Sequence, residues 1–282
     1  MPRPKTKSVF TNIAFYVVAI LFSIFFFFPI WQNIVGGFST IDSLQSGKSL
    51  LFPQPLSWNW PDLASLNINP TVWRFLFNTI IIALSAVPAI FFSALTSFGL
   101  TRFKVPGQNI VFFTILSTIM LPFTVTMIPR FIMFKNFGWI NTYLPFYVPT
   151  ISGNAMAIFL LRQFMKTIPK DIDEAAKIDG AGYFRIFWQI ILPLSAPALI
   201  TTFIFTLVGI WNDFMTPLLY LNSTKMFPIS LSVMILKALQ DRIIPWNSIM
   251  LEALLATVPM VIIYFILQKH IVQGVVASGI KG

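Results

Sequence analysis

Two groups of polar residues interrupt an otherwise apolar chain, and their side chains are the ones best suited to recognise another molecule. One group is residues 171–180, which read DIDEAAKIDG. The other consists of Asn154, Asn212 and Asp213, each placed within a long apolar segment. A carboxylate at membrane depth is costly unless it faces protein or water, so Asp213 is a functional candidate by default. A hydrogen bond to a neighbouring helix near the outer interface would also explain Asp213.

The sequence lacks the residue patterns of several catalytic chemistries. It contains no Cys and a single His, His270, which has no carboxylate or second His near it. It contains no HExxH motif and no evident nucleophile and base pair, so a membrane enzyme is disfavoured and no metal site is expected. Residues 274–279 have the glycine spacing of a phosphate-binding loop, but Ile280 stands where that loop needs Lys. We therefore do not expect this chain to hydrolyse ATP.

The composition predicts a membrane protein. Of the 282 residues, 56% are hydrophobic and 10% are charged, and the mean hydropathy is +0.80. This leaves too little polar surface to cover a soluble globule. The long apolar runs lack the two-residue alternation of a membrane barrel, so the spans should be α-helices.

The apolar runs predict a single all-α transmembrane domain over residues 1–282 with about six spans. The expected spans are residues 9–35, 73–100, 109–133, 143–161, 194–221 and 249–267. The first run is longer than the roughly 7–15 residues of a cleaved signal core, so it should be an uncleaved span that starts in the cytoplasm. Most of the 19 Lys and Arg residues then lie at cytoplasmic span ends, which puts both termini inside. This placement accounts for the net charge of +10 without a nucleic-acid partner.

Residues 168–192 predict a helical hairpin that lies outside the membrane. Three acidic residues between positions 171 and 174 put negative charge at the positive end of a helix whose first turn can contain Pro169. Gly180 suits the open backbone that ends this helix, and a second short helix is expected over residues 181–191, before Pro193. The hairpin is too short and too charged to span a bilayer, so the basic-residue bias places it in the cytoplasm.

The first hairpin helix carries a narrow apolar stripe at helical spacing, formed by Ile172, Ala175, Ala176 and Ile178. Small side chains in the stripe let another surface approach the helix backbone closely. Two interpretations remain open at this point. The stripe either docks in a groove of a partner protein or rests on lipid headgroups.

The spacing within and after the hairpin resembles the EAA loop of bacterial ABC-importer permeases, specifically the carbohydrate, maltose-type branch. The residues that carry the resemblance are Glu174, Ala175, Ala176, Asp179, Gly180, Ile190, Leu192, Pro193, Ser195 and Pro197. The resemblance implies that the hairpin docks in a cleft of a separate ATPase subunit, with the first five of these residues as the coupling positions. It also implies that the ATPase binds ATP and Mg²⁺ and that this chain holds no cofactor.

The same resemblance implies one half of a sugar or oligosaccharide importer in the bacterial plasma membrane. A homologous permease subunit would complete the pathway, two ATPase subunits or domains would grip the two hairpins, and an extracytoplasmic binding protein would deliver the cargo. ATP-driven closure would then alternate access across the lipid bilayer. An ion- or proton-coupled secondary transporter is the alternative. It is disfavoured because ionisable residues within the spans are scarce beyond Asp213 and Glu252.

Sugar recognition is the function expected of the second polar group. Carbohydrate sites combine aromatic faces with amide and carboxylate groups, which makes Asn154, Asn212 and Asp213 the substrate-pathway candidates. In maltose-type relatives the partner permease makes most substrate contacts, so the resemblance also allows this chain to contribute few. The resemblance further implies that the connection at residues 222–247 reaches toward the binding protein.

Overall fold

The computed structural model describes residues 9–49, 51–57, 72–104, 106–232 and 246–279, with side chains described only between residues 12 and 268. The described chain consists of helices and their connections, which confirms the all-α prediction. Four helical segments of the described chain are long and apolar enough to cross a membrane. The number rises to six if each of two bent helix pairs forms one span.

The helices follow the order of the predicted spans but are more often interrupted. They are α1 Val9–Gly37, α2 Ile41–Gln45, α3 Val72–Ala83, α4 Ala86–Arg102, α5 Gln108–Ser117, α6 Phe123–Asn136, α7 Leu144–Tyr147, α8 Ala155–Thr167, α9 Asp171–Ile178, α10 Tyr183–Ile186, α11 Leu192–Leu194, α12 Ala196–Trp211, α13 Met215–Tyr220 and α14 Trp246–Gly279. A 3-10 turn, Val148–Ser152, follows α7, and a π-helical stretch, Phe187–Ile191, joins α10 to α11.

The helical packing forms two compact units within the predicted permease domain, whose extent stays a prediction. One unit comprises residues 1–71 and 233–258, and the other comprises residues 72–232 and 259–282. In the first unit, the indole Nε1 of Trp31 donates to the Leu51 carbonyl at 2.8 Å. Gly37 lies so close to α14 that an added Cβ would be 3.3 Å from the Leu251 Cα. All the site residues described below belong to the second unit.

Proline residues account for two of the helix interruptions. The sequence predicts a kink at Pro88, and the structure breaks between α3 and α4, at Leu84 and Ser85. Pro88 has no N–H to donate to the Leu84 carbonyl four residues earlier, and that carbonyl instead accepts from the Val87 N–H at 3.1 Å. Pro122 separates α5 from α6, and the helices on either side of it meet at 100°. Residues 109–133 are therefore a bent pair in the structure.

The centre of the second unit is the close packing of α4 against the start of α8. The Ser93 hydroxyl accepts from the Asn154 N–H at 2.8 Å and donates to the Ala89 carbonyl at 2.6 Å. One turn further along α4, the Ser97 hydroxyl donates to the Ile158 carbonyl at 3.0 Å. Small buried residues let the two helix backbones approach, and the hydroxyls satisfy backbone groups across the contact.

Gly153 provides the test of this packing. It has φ +76°, and a Cβ at this position would lie 3.1 Å from the Ser93 Oγ and 3.2 Å from the Ser93 Cα. We expect Gly153→Ala to lower the thermal unfolding temperature of the purified protein by more than Gly138→Ala does. Gly138 is the matched control because it has φ +70° but no atom within 4 Å of an added Cβ. Equal shifts for the two variants would show that backbone strain alone, about 1–2 kcal/mol, decides the effect.

Candidate functional site

Helix α9 begins with the acidic turn that the sequence predicts. It starts at Asp171, and the Asp173 and Glu174 N–H groups both donate to the Lys170 carbonyl, at 2.9 and 3.1 Å. Pro169 precedes the helix rather than lying in its first turn. The carboxylates at the helix N-terminus interact favourably with the helix dipole, which stabilises a helix of only 8 residues.

Gly180 ends α9 in the left-handed conformation, with φ +78°. The Ala181 N–H donates to the Ala176 carbonyl at 2.9 Å, and the Gly180 N–H donates to the Lys177 carbonyl at 3.0 Å. These two hydrogen bonds form a Schellman motif, in which an L-residue at the Gly180 position would be strained. Glu174, Ala175 and Asp179 are exposed around this turn.

The second hairpin helix is longer and less regular than predicted. It extends over residues 183–194 and contains the π-helical stretch Phe187–Ile191. Pro193 has no N–H to donate to the Gln189 carbonyl, and the local widening of the helix coincides with that missing bond. Beyond Ser195 the chain turns by 77° into α12. The hairpin is thus continuous with the next apolar helix.

The predicted apolar stripe of α9 divides between two faces in the structure. Ala176 is 9% exposed and packs into a cluster with Phe98, Met165 and Phe187. Ile178 is 87% exposed and Ile172 is 37% exposed, so these two side chains lie on the outer part of the helix with Ala175. The prediction of one continuous stripe was wrong, because Ala176 belongs to the face that packs on the helix bundle.

Asp173 faces the same way as Ala176 and forms a buried ion pair that the sequence analysis did not identify. Its Oδ2 lies 2.9 Å from the Arg102 Nε, and the two side chains are 9% and 3% exposed. Both terminal nitrogens of Arg102 donate to the Ile168 carbonyl at 3.2 Å. Arg102, in the last turn of α4, therefore contacts both Ile168, which precedes α9, and Asp173, which lies in its first turn.

A cavity of about 800 Å³ lies at the other end of α8. Its polar lining includes Asn154, Asp213, Arg130 and Thr206, and the ring of Trp139 adds an aromatic surface. A smaller cavity of about 120 Å³ is also lined by Asn154 and Thr206. The structure thus brings together two of the three substrate-pathway candidates. Arg130 is a further charged group in this lining, and no motif in the sequence marks it as a site residue.

Asn154 and Asp213 also have local structural roles. The Oδ1 of Asn154 caps α8 by accepting from the Ala157 N–H at 3.0 Å. The Oδ1 of Asp213 accepts from the Thr216 N–H at 3.0 Å, at the start of α13. Each of these bonds uses the Oδ1 atom, and both residues also line the cavity. Asn212 does not line either cavity and donates to the Val208 carbonyl of its own helix at 2.9 Å.

The first part of the predicted contact segment, up to Ser232, is bound to α3 and the start of α7. The Asn78 Nδ2 donates to the carbonyls of Lys225 and Phe227, at 2.8 and 3.0 Å. The Tyr143 hydroxyl donates to the Asn78 Oδ1 at 3.0 Å. Residues 233–245 of the predicted contact segment lie outside the described residues, and residues 246–247 begin α14. The predicted role of residues 222–247 therefore stays a prediction.

The described residues contain no group of three or more His, Cys, Asp or Glu side chains that could hold a metal ion. The exposed surface of α9 lies beyond the C-terminal end of α8, and the polar cavity lies at the N-terminal end of α8.

Comparison with known proteins identifies the class. Residues 63–277 match the family described as the binding-protein-dependent transport system inner membrane component. The chain is 32% identical over 278 residues to the sn-glycerol-3-phosphate transport system permease protein of Rhizobium meliloti, covering 96% of this chain and 98% of the relative. It is 30% identical over 280 residues to the trehalose/maltose transport system permease protein of Thermococcus litoralis, covering 98% and 99%.

A solved structure shares the fold. The match is a chain from the crystal structure of a bacterial ABC transporter involved in the import of the acidic polysaccharide alginate. The TM-score is 0.81 at 20% sequence identity, and the match covers 96% of this chain and 100% of that chain. At this identity the likeness establishes the fold alone.

The chain belongs to the family of binding-protein-dependent transport system inner membrane components. It is a multi-pass membrane permease of the ABC-importer type, which confirms the resemblance seen in the hairpin motif. The comparisons favour this class over the secondary transporter considered from the sequence.

Proposed function

We propose that this chain is one of two permease subunits of a sugar or oligosaccharide importer and that its hairpin transmits the ATPase cycle to the cavity. The observation that carries the proposal is the two-sided construction of α9. Asp173 and Ala176 hold one side of the helix against the bundle, whereas Ile178 is 87% exposed on the other. The exposed face of α9 carries Ile172, Ala175 and Ile178 at helical spacing, and a contiguous apolar face on an anchored helix is the feature expected of a docking surface.

The proposed assembly contains three further kinds of protein. A homologous permease subunit forms the other half of the pathway, two ABC ATPase subunits or domains hold the two hairpins, and an extracytoplasmic binding protein delivers the cargo. ATP and Mg²⁺ belong to the ATPase, and the coupling positions of this chain are Glu174, Ala175, Ala176, Asp179 and Gly180. Both termini and the hairpin face the cytoplasm, as the distribution of Lys and Arg predicts.

A sugar or a related polyol derivative is the cargo class that the relatives support. The named relatives are transport permeases for sn-glycerol-3-phosphate and for trehalose or maltose. A further relative, 28% identical over 300 residues, is the polygalacturonan/rhamnogalacturonan transport system permease protein of Bacillus subtilis. Asn154, Asp213 and Arg130 offer the hydrogen-bonding groups that a hydroxyl-rich molecule requires, beside the Trp139 ring.

The proposed mechanism is a shift between inward-facing and outward-facing states. A ligand shifts such an equilibrium only by the difference between its affinities for the two states. ATP bound to the ATPase and the loaded binding protein must therefore both favour the outward-facing state. The hairpin connects the ATPase to α4, α8 and α12, which place Asn154 and Thr206 at the cavity.

Replacement of Gly180 tests this coupling. We expect Gly180→Val to reduce stimulation of the ATPase by the binding protein about tenfold or more. The strain of an L-residue in the left-handed conformation is about 1–2 kcal/mol, and roughly 1.4 kcal/mol corresponds to a factor of ten. The left-handed backbone at Gly180 excludes a β-branched residue, so the variant hairpin must change the direction of its second helix. ATPase activity of reconstituted complexes is measured with and without loaded binding protein.

Gly182→Val is the matched control for this experiment. Gly182 lies in the same turn, has φ −73° with an extended ψ, and has no atom within 4 Å of an added Cβ. It should retain most of the stimulation. Full stimulation in Gly180→Val complexes would contradict the proposed role of the hairpin.

A further inference from the structure

The C-terminal turn of α4 is a junction at which three other parts of the second unit meet. The Leu100 carbonyl accepts from the Gln108 side-chain amide at the start of α5 and from the Arg162 Nε of α8 at 3.5 Å. Arg102, two residues further on, binds Asp173 and the Ile168 carbonyl. Carbonyl groups at the end of a helix lack partners within the helix, so these side chains satisfy groups that would otherwise need water.

Aromatic packing supports the same connection independently of the ion pair. The Phe103 ring lies 4.7 Å from the Tyr183 ring of α10, between ring centroids, and the Phe98 ring lies 5.2 Å from the Phe187 ring. The Lys177 Nζ lies 4.8 Å from the Tyr183 ring centroid and so links the two hairpin helices. Both helices of the hairpin are therefore in contact with the end of α4.

A contribution to stability alone is a poor explanation of the Arg102–Asp173 pair. The desolvation penalty of a buried ion pair often equals its Coulombic gain, and well-packed apolar residues would serve as well. In addition, the Arg102 Nε and the Asp173 Oδ1 are both buried without a hydrogen bond among the described residues, so the contact is a pairing of charges that leaves both groups incompletely satisfied. What such a pair provides is a defined position, because Arg102 contacts Asp173 through its Nε while both of its terminal nitrogens donate to the Ile168 carbonyl.

We propose that Arg102 and Asp173 are positioning residues that make the hairpin move as one body with α4 and α8, so that a displacement at the ATPase reaches the cavity end of α8. The inference rests on the proposed function, since it assumes that an ATPase moves the hairpin. Arg102 does not contact the ATPase or the cargo. Its loss uncouples the two ends of the permease and leaves the docking surface of α9 in place.

The test uses the complete transporter, reconstituted in nanodiscs, with one introduced cysteine at Met156. Met156 lines the smaller cavity on α8 and is 50% exposed, and the chain has no other Cys. The labelling rate of this cysteine with a polar maleimide is measured without nucleotide and with Mg·ATP plus vanadate. In the transporter that retains Arg102, the labelling rate should differ clearly between the two nucleotide conditions.

The variants are Arg102→Gln, Asp173→Asn and the exchanged pair Arg102→Asp with Asp173→Arg. We expect each single variant to retain the ATPase subunits and their basal hydrolysis within about twofold. The nucleotide-dependent change in labelling should fall at least about fivefold, the lower limit of a typical coupling between sites. The exchanged pair restores the opposite charges, but Asp at position 102 cannot donate to the Ile168 carbonyl, so it should recover only part of the change. A merely structural defect would instead lower assembly or basal hydrolysis together with the labelling response. Lys104→Gln is the control, because it removes an equal charge from an exposed position two residues away.

The outcomes separate this inference from the proposed function. If the single variants keep the full nucleotide response, the positioning role is overturned while the proposed function stands. If the ATPase does not co-purify with the wild type or the Lys104→Gln variant, the proposed function fails first. Should Arg102→Gln fail to assemble, Asp173→Asn decides the question, since Asn preserves the shape of the side chain. Failure of both to assemble, with Lys104→Gln intact, would overturn the positioning role in favour of a folding role.

Discussion

Ile178→Asp should prevent stable assembly of the permease with its ATPase. In the proposed complex the side chain of Ile178, which is 87% exposed in the isolated chain, becomes buried in a groove of the partner. Burial of an unpaired carboxylate there costs several kcal/mol, so the affinity should fall by roughly 100-fold or more. Co-purification of the ATPase with a tagged permease measures the loss directly.

Ile178→Leu is the conservative control and should co-purify as the wild type does. Because Ile178 makes little contact within its own chain, neither substitution should alter the thermal stability of the permease alone. The lipid interpretation of the apolar stripe predicts a different result. If α9 rests on headgroups, Ile178→Asp would leave ATPase binding intact, and that result would contradict the docking surface.

Asp213→Asn should raise the KM for transport while the protein keeps its fold. Asn retains an oxygen that can accept the Thr216 N–H, so the start of α13 stays capped, but the charge that faces the cavity is lost. Loss of a hydrogen bond between a charged group and cargo is worth about 1.5–3 kcal/mol, which corresponds to roughly 10- to 150-fold in KM.

The neighbouring Asn212 provides the control for the cavity. Its side chain bonds its own helix and does not line either cavity, so Asn212→Ala should change KM less than about threefold, an effect below 1 kcal/mol.

Uptake into proteoliposomes is measured with maltose, trehalose, sn-glycerol-3-phosphate and oligogalacturonates, each offered with the cognate binding protein. Equal KM values for Asp213→Asn and the wild type, with every transported compound, would remove Asp213 from the pathway.

Local features of the hairpin could be predicted from the sequence because they depend on neighbouring residues. Acidic residues at a helix start and a glycine at its end act within one turn, and the structure has both, with Asp171 beginning the helix and Gly180 at φ +78°. A kink caused by Pro88 is also predictable from the sequence. The helix breaks four residues before Pro88, at Leu84, because Pro88 has no N–H to donate to the Leu84 carbonyl. Sequence reasoning placed Pro169 in the helix, whereas the chain enters the helix after it.

Contacts between distant parts of the chain could not be predicted in the same way. The sequence predicts only a basic residue at a span end for Arg102 and a favourable interaction with the helix dipole for Asp173, because nothing in its spacing brings the two residues together. The same limit applies to Arg130 and Asp213, which are far apart in the sequence and line one cavity in the structure. Asn212 is a polar residue that the sequence predicts in the pathway but the structure places elsewhere. Its side chain donates to the Val208 carbonyl of its own helix and does not line the cavity.

The central claim is that α9 engages an ATPase subunit, and a crosslink from Ala175 tests it most directly. Ala175 is exposed on the outer face of α9, and because this chain contains no Cys, Ala175→Cys gives it a single attachment point for a benzophenone-maleimide photocrosslinker before assembly with its partners. In an assembled transporter that hydrolyses ATP, the account predicts one major crosslinked product, containing this chain and the ATPase. Products with lipid or with the partner permease alone, in a complex that remains active, would contradict it.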